Sequence, residues 1–230
     1  MRFNRLEALV GQKSVKNLNQ KRIMIVGLGG VGSFAAEAIA RSGIGEIFLV
    51  DHDVVDITNI NRQLIALEST LGKPKVEVMK DRIRDINPKC IVHTFQLFFN
   101  EQSSSKIFST NPDFIIDAID TIPSKILLIS HAIKQAIPII SSMGFAKKMH
   151  PEQIELTTLK KTEICPLAKT LRYQLRQAGY TLDIPVVYSK ELPIESMNQD
   201  IKLGSSSTVP PVAGLMMASY VINEIIKEET

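Results

Sequence analysis

The sequence predicts an α/β fold: a mainly parallel sheet with helices on both faces, followed by a mixed C-terminal extension. Three observations carry that prediction. Short apolar runs alternate with segments of helical period from residue 23 to residue 141. The run at 23–26 is wholly apolar and that at 114–118 is apolar except for Asp117, as strands covered on both faces require. The connections between runs are long enough for helices, and right-handed crossovers of that kind make neighbouring strands parallel.

Residues 2–9 and 12–18 suggest two short helices on either side of Gly11. The first strand, 23–26, runs into Gly27-Leu28-Gly29-Gly30-Val31-Gly32, an Ala-rich helix, and a second apolar run that stops at Asp51. Strand, glycine turn, helix and strand make a Rossmann-like unit. Glycines let the backbone approach a phosphate, and the helix N-terminus offers it unpaired N–H groups. Asp51 follows Gly32 by 19 residues, about where a carboxylate reaches a ribose hydroxyl. A nucleotide site is thus the first functional expectation, with a nicotinamide oxidoreductase still open.

After a polar loop, 53–61, residues 75–86 form an amphipathic helix with Val76, Met79, Ile83 and Ile86 on one side, closed by Asn87-Pro88. A strand at 90–95, a helix at 102–109, a turn at Asn111-Pro112 and a strand at 114–118 leading to Asp120 follow. A helix at 125–135 and a strand at 137–141 complete the regular alternation. The remainder is less regular: strand 153–159, helix 166–177, strand 185–189, a polar surface loop at 191–207 and a last helix at 212–226. Pro210-Pro211 interrupt the apolar stretch 209–226, which also carries Asn223 and Glu224. It falls short of the ~20 apolar residues of a membrane span, so a packing helix and no membrane insertion are expected.

At 230 residues the chain is expected to be one domain: N-terminal helices at 1–20, a nucleotide-binding core at 21–145 and a substrate-facing extension at 146–230. Cys90 and Cys165 form no CxxC, which argues against a disulfide scaffold and against zinc, and suits a reducing cytoplasm. The N-terminal MRFNRLEALVG lacks the apolar region of a secretory signal. His52, His93, His131 and His150 show no metal spacing. The net charge of +3 is uneven: residues 121–180 hold nine Lys and Arg against three acids. That imbalance suggests a polyanionic partner.

Gly27, Gly29 and Gly32 fit a dinucleotide fingerprint, but a nicotinamide site has no use for Arg62 and Lys75 beyond the ribose carboxylate. A site that offsets charge on a triphosphate does. With RFNR, GLGGVGS, DHDVVDITNINRQ, GKPK and DAID in that order, residues 2 to about 142 resemble the ubiquitin-activating-type adenylating enzymes, which include the adenylators of molybdopterin synthase and thiamine biosynthesis. The resemblance implies ATP and Mg²⁺ as cofactors. It makes Gly29 and Gly32 the phosphate-approach glycines, Asp51 the ribose ligand, Asn59, Arg62 and Lys75 the triphosphate contacts, and Asp120 the magnesium-associated acid. Gly27, Gly30, Asp53 and Gln63 complete the implied nucleotide-contact set. Arg5 is similar to the arginine that such enzymes supply to the partner subunit's site, which implies a homodimer.

In the second half, ICPLAKTLRYQLRQ, DIPVVYSKELP and LGSSSTVPPVAGLMMASYVINEII resemble the tRNA threonylcarbamoyladenosine dehydratase branch, and RSGIGEIFLVDHD, INPKC and DAIDTIPSK agree with it. Cys165 stands where the compared members often carry Asp. The branch implies a tRNA partner and ATP-dependent cyclisation of the modified nucleoside. Lys169, Arg172 and Arg176 recur at i, i+3 and i+7 of one predicted helix. Together with Lys147, Lys148, Lys160 and Lys161 they are the expected tRNA contacts. The alternative is an adenylator of a ubiquitin-like sulfur carrier; the lack of paired zinc cysteines and the basic segment count against it. A sulfur-transfer partner stays open.

Overall fold

A computed structural model describes every residue except Met1, Ser196, Gln199, Ile201, Lys202 and residues 228–230. The middle four belong to the predicted 191–207 loop, which therefore lies partly outside the described residues.

Helices α1 (Asn4–Val10) and α2 (Gln12–Leu18) precede β1 (Arg22–Val26), α3 (Gly32–Arg41) and β2 (Glu46–Val50). A long loop leads to α4 (Lys75–Ile86), β3 (Ile91–Phe95), α5 (Glu101–Phe108), β4 (Phe114–Asp117), α6 (Ile122–Lys134) and β5 (Ile139–Ser142). The extension supplies β6 (Ile154–Thr158), α7 (Pro166–Gln177), β7 (Pro185–Ser189) and α8 (Val209–Lys227). Among the described residues the strands form one seven-stranded sheet in the order β3-β2-β1-β4-β5-β7-β6. Neighbours are parallel, except β6, which pairs antiparallel to β7 at the edge.

Alternate residues of each central strand feed two cores. Ile23, Ile25, Ile47 and Leu49 pack on one face against α3, α4 and α8. Met24, Val26, Phe48 and Val50 pack on the other against α5, α6 and α7. Both faces are covered, so the strands carry no polar alternation. From β1 the chain winds outward through β2 and β3, then returns to place β4 on the other side of β1. That reversal makes the C-terminal ends of β1 and β4 the switch point where ligands bind in open α/β sheets.

Two helices start three residues earlier than expected, both at prolines. Helix α6 starts at Ile122 rather than 125, with Pro123 in its first turn. Helix α8 starts at Val209, so Pro210-Pro211 do not interrupt it. First-turn N–H groups have no intrahelical partner, so a proline there loses no bond. By length and composition α8 is apolar enough to cross a bilayer, but half of its apolar window is buried. Its Ala213, Met217, Ala218, Val221 and Ile225 lie in the core, which makes it the expected packing helix.

Candidate active site

The C-terminal ends of β2, β1, β4 and β5 border a cleft of about 550 Å³ at the switch point. Gly27, Gly29, Gly30, Asp51, Asp53, Asn59, Arg62, Gln63, Lys75 and Asp120 all line it. Residues spread over nearly one hundred positions thus converge on one space.

The glycines divide the labour. Gly27 adopts φ +91°, and a side chain there would strike the Ala118 carbonyl oxygen at 2.6 Å. A Cβ on Gly29 would meet nothing nearer than 3.9 Å, so its backbone is open to the cleft, as phosphate approach requires. Gly32 departs from its expected role. It does not line the cleft, and its Cβ would fall 1.8 Å from the Gly27 carbonyl oxygen. It serves close packing of α3 on the turn.

Asp51 fastens the turn to the end of β2. Its Oδ2 accepts from Leu28 N–H at 2.6 Å and its Oδ1 from Asp53 N–H at 2.9 Å. A carboxylate offers about four acceptor sites, so further lone pairs remain for a ribose hydroxyl. Lys75 begins α4, where the helix dipole opposes a cation. Its ammonium is nevertheless held in the cleft wall, 2.7 Å from Asp53 Oδ2.

The loop after β2 is self-braced. Asp56 accepts from Thr58 N–H at 2.8 Å, while Asn59 Oδ1 accepts from Asp56 N–H at 3.1 Å. This fixes the buried Asn59 beside Arg62. Arg62 spends one guanidinium nitrogen on the Thr58 carbonyl (2.8 Å) and Asn61 Oδ1 (3.1 Å). The fork has five donors in all, and a bidentate grip on phosphate uses two. Gln63 is 6% exposed, and its Oε1 has no partner among the described residues. Such an orphan acceptor costs about 1–3 kcal/mol.

Asp120 sits exposed in the loop after β4, accepting from Thr121 Oγ1 at 3.3 Å. Behind it lies a group the sequence reading missed. Lys125 and Asp117 form a fully buried ion pair, and Asp117 also accepts from Ser141 Oγ at 2.6 Å and Ile119 N–H at 3.1 Å. Burial pushes the Lys125 ammonium below the usual lysine range, and Asp117 opposes that shift. The available signal was a charge at each end of DAIDTIPSK, where strand and helix are otherwise apolar.

As to metal, Asp51, His52 and Asp53 bring their ligand atoms within 4.8 Å of one another; Asp120 is not among them. Arg5 is exposed on α1 and does not line this chain's cleft.

The basic segment is only partly open. Lys160, Lys161, Lys169 and Arg176 are exposed, and Lys160 pairs with Asp183. Lys147 is half-buried, and Arg172 turns back to donate to the Thr162 carbonyl at 2.7 Å. Lys148 does not belong to the open face. It is 4% exposed and donates to the carbonyls of Ser189 (3.0 Å) and Glu191 (2.8 Å). Glu191, expected in a surface loop, is buried and accepts from Met149 and His150 N–H. Cys165 is buried at the start of α7.

The ThiF family model matches residues 3–230. The chain belongs to the ThiF family. The tRNA threonylcarbamoyladenosine dehydratase of Bacillus subtilis (strain 168) is 43% identical over 241 residues, which span 98% of this chain and 95% of that protein. Crystal structures of the Escherichia coli tRNA N6-threonylcarbamoyladenosine dehydratase TcdA share this ThiF-family fold. The complex with AMP gives a TM-score of 0.94 at 34% identity, covering 99% of this chain and 95% of that one. The complex with ATP gives 0.93 at the same identity and coverage.

Proposed function

We propose that this chain catalyses the ATP-dependent dehydration of N6-threonylcarbamoyladenosine next to the anticodon of tRNA. The observation that carries the reading is the convergence of Asn59, Arg62, Lys75 and Asp120 on a glycine turn open at Gly29. The likeness to the named dehydratases supports the choice of substrate.

The reaction begins at the threonyl carboxylate, one of whose oxygens attacks the α-phosphorus of ATP. The bond from that phosphorus to the bridging oxygen breaks, and pyrophosphate leaves. A nitrogen of the same modification then attacks the activated carbonyl, loses its proton and closes a ring as the bond to AMP breaks. The carboxylate oxygen departs on AMP, so the nucleoside loses the elements of one water. Adenylation is needed because hydroxide is a poor leaving group and AMP a far better one.

The protein's task is positioning and charge stabilisation. The backbone of Gly29 and Gly30, in the turn just before α3, meets the phosphates. Asp51 holds the ribose. Arg62 and Lys75 offset the charge that builds as pyrophosphate departs. Asp120 suits Mg²⁺, a hard cation that takes oxygen ligands and neutralises phosphate charge. Arg5 acts in the partner's cleft, so the working unit is a homodimer. The ring closure is intramolecular, so orientation replaces a dedicated nucleophile and Cys165 is assigned no step. Lys147, Lys160, Lys161, Lys169 and Arg176 face the tRNA backbone, and the setting is the cytoplasm.

The test is product formation. AMP should accumulate only when ATP, magnesium and tRNA bearing the modification are present together. AMP formation that needs an added carrier protein instead would contradict the proposal.

A further inference from the structure

The lining of the cleft follows the edge of the sheet. Asp51 and Asp53 follow β2, Gly27, Gly29 and Gly30 follow β1, residues 118–121 follow β4, and residues 143–146 follow β5. Neighbouring strands lie about 4.8 Å apart, so the end of β5 is about 10 Å along this edge from the end of β1. The residues assigned to the nucleotide use the ends of β2, β1 and β4. The arm over β5 lies beyond Asp120, on the side away from Asp51, and they leave it unused.

That arm differs in chemistry from the centre. Met143, Gly144, Phe145 and Ala146 form one side and Leu167, at the start of α7, another; none carries a charge. Gly144 lies close to α7, since a Cβ there would touch Cys165 Sγ at 3.7 Å and Leu167 Cβ at 3.9 Å, so these residues close the inner end of the arm. A strap at 203–205 lines the cleft through Leu203 and Ser205 and is pinned at two points. The Ser205 carbonyl accepts from Asn61 Nδ2 at 2.9 Å, and the Gly204 carbonyl from Lys147 N–H at 2.8 Å. The strap thus ties the nucleotide loop to the segment after β5.

We propose that this arm is the acceptor pocket. It takes the modified adenine base, unstacked from its neighbours, and presents the carboxylate past Asp120 to the α-phosphate. The proposal rests on the dehydratase reading above. A purine buries its faces between apolar side chains once it leaves the stack. An uncharged arm gives a free phosphate or an acidic peptide nothing to pair with. The base therefore fills the apolar arm and its charged tail lies in the polar centre.

Leu167→Trp and Ala146→Leu, both of which add bulk to the lining of the arm, test this. Each should lower kcat/KM for tRNA by about tenfold or more while the rise in thermal midpoint produced by ATP stays at its native size. Native kcat/KM in both variants would overturn the proposal. Loss of ATP protection in both would overturn it too, by placing the arm inside the nucleotide site. Should Leu167→Trp not fold, Ala146→Leu gives the same reading, because Ala146 is only half-buried. Failure of the dehydratase reading itself is distinct: the native protein would gain stability from ATP yet leave the nucleoside unchanged, before any variant is made.

Discussion

Lys125 Nζ donates to Asp117 Oδ2 across 2.7 Å, with both side chains wholly out of solvent. Asp117 ends β4 and Lys125 lies in the first turns of α6, so the pair pins the helix to the strand and frames the loop that carries Asp120. Asp117→Asn leaves the ammonium without its counter-charge. Breaking a buried pair from one side costs about 3–5 kcal/mol, which urea unfolding will read directly. The double change Asp117→Asn with Lys125→Met should recover most of that loss.

The pair was not legible because each partner looks ordinary in one dimension. Asp117 closes an apolar run as a strand-end acid would, and Lys125 seems the first wet residue of a helix. Only the meeting of β4 with α6 buries both. Lys148 misled for a related reason: two adjacent lysines suggest a solvated face, but Lys147 takes φ +61° and the turned chain directs Lys148 inward. What was legible came from local physics. Unbroken apolar runs gave the two-sided sheet, and the glycine turn with Asp51 gave the cleft. The antiparallel edge strand β6 was visible as a break in the regular rhythm.

The two kinds of glycine separate by substitution. Gly32→Ala forces a Cβ to within 1.8 Å of the Gly27 carbonyl oxygen, so it should lower the thermal midpoint even without ATP. Gly29→Ala meets no such contact and should keep the midpoint while weakening protection by ATP.

Arg62→Ala removes a half-buried donor braced by Thr58 and Asn61. Turnover should fall by ~10²–10³, the usual loss for one charge-stabilising donor, with the thermal midpoint of the nucleotide-free protein unchanged. A loss of stability of matching size would make Arg62 a structural residue.

Arg5→Ala should also be inactive yet folded, since Arg5 is exposed on α1. Mixing it with Arg62→Ala should restore part of the activity, because a mixed dimer assembles one intact site. No recovery would remove Arg5 from the partner's cleft.

Asp120→Asn should raise the magnesium concentration needed for half-maximal rate, as a neutral amide is a weaker ligand for a hard cation. An unchanged magnesium profile would take the metal away from Asp120.

The central claim is that this cleft activates a carboxylate on tRNA. The native protein, incubated with ATP, magnesium and total tRNA, should yield on nucleoside digestion a threonylcarbamoyl nucleoside lighter by the mass of one water. An unaltered nucleoside beside pyrophosphate exchange that depends on an added carrier protein would contradict it.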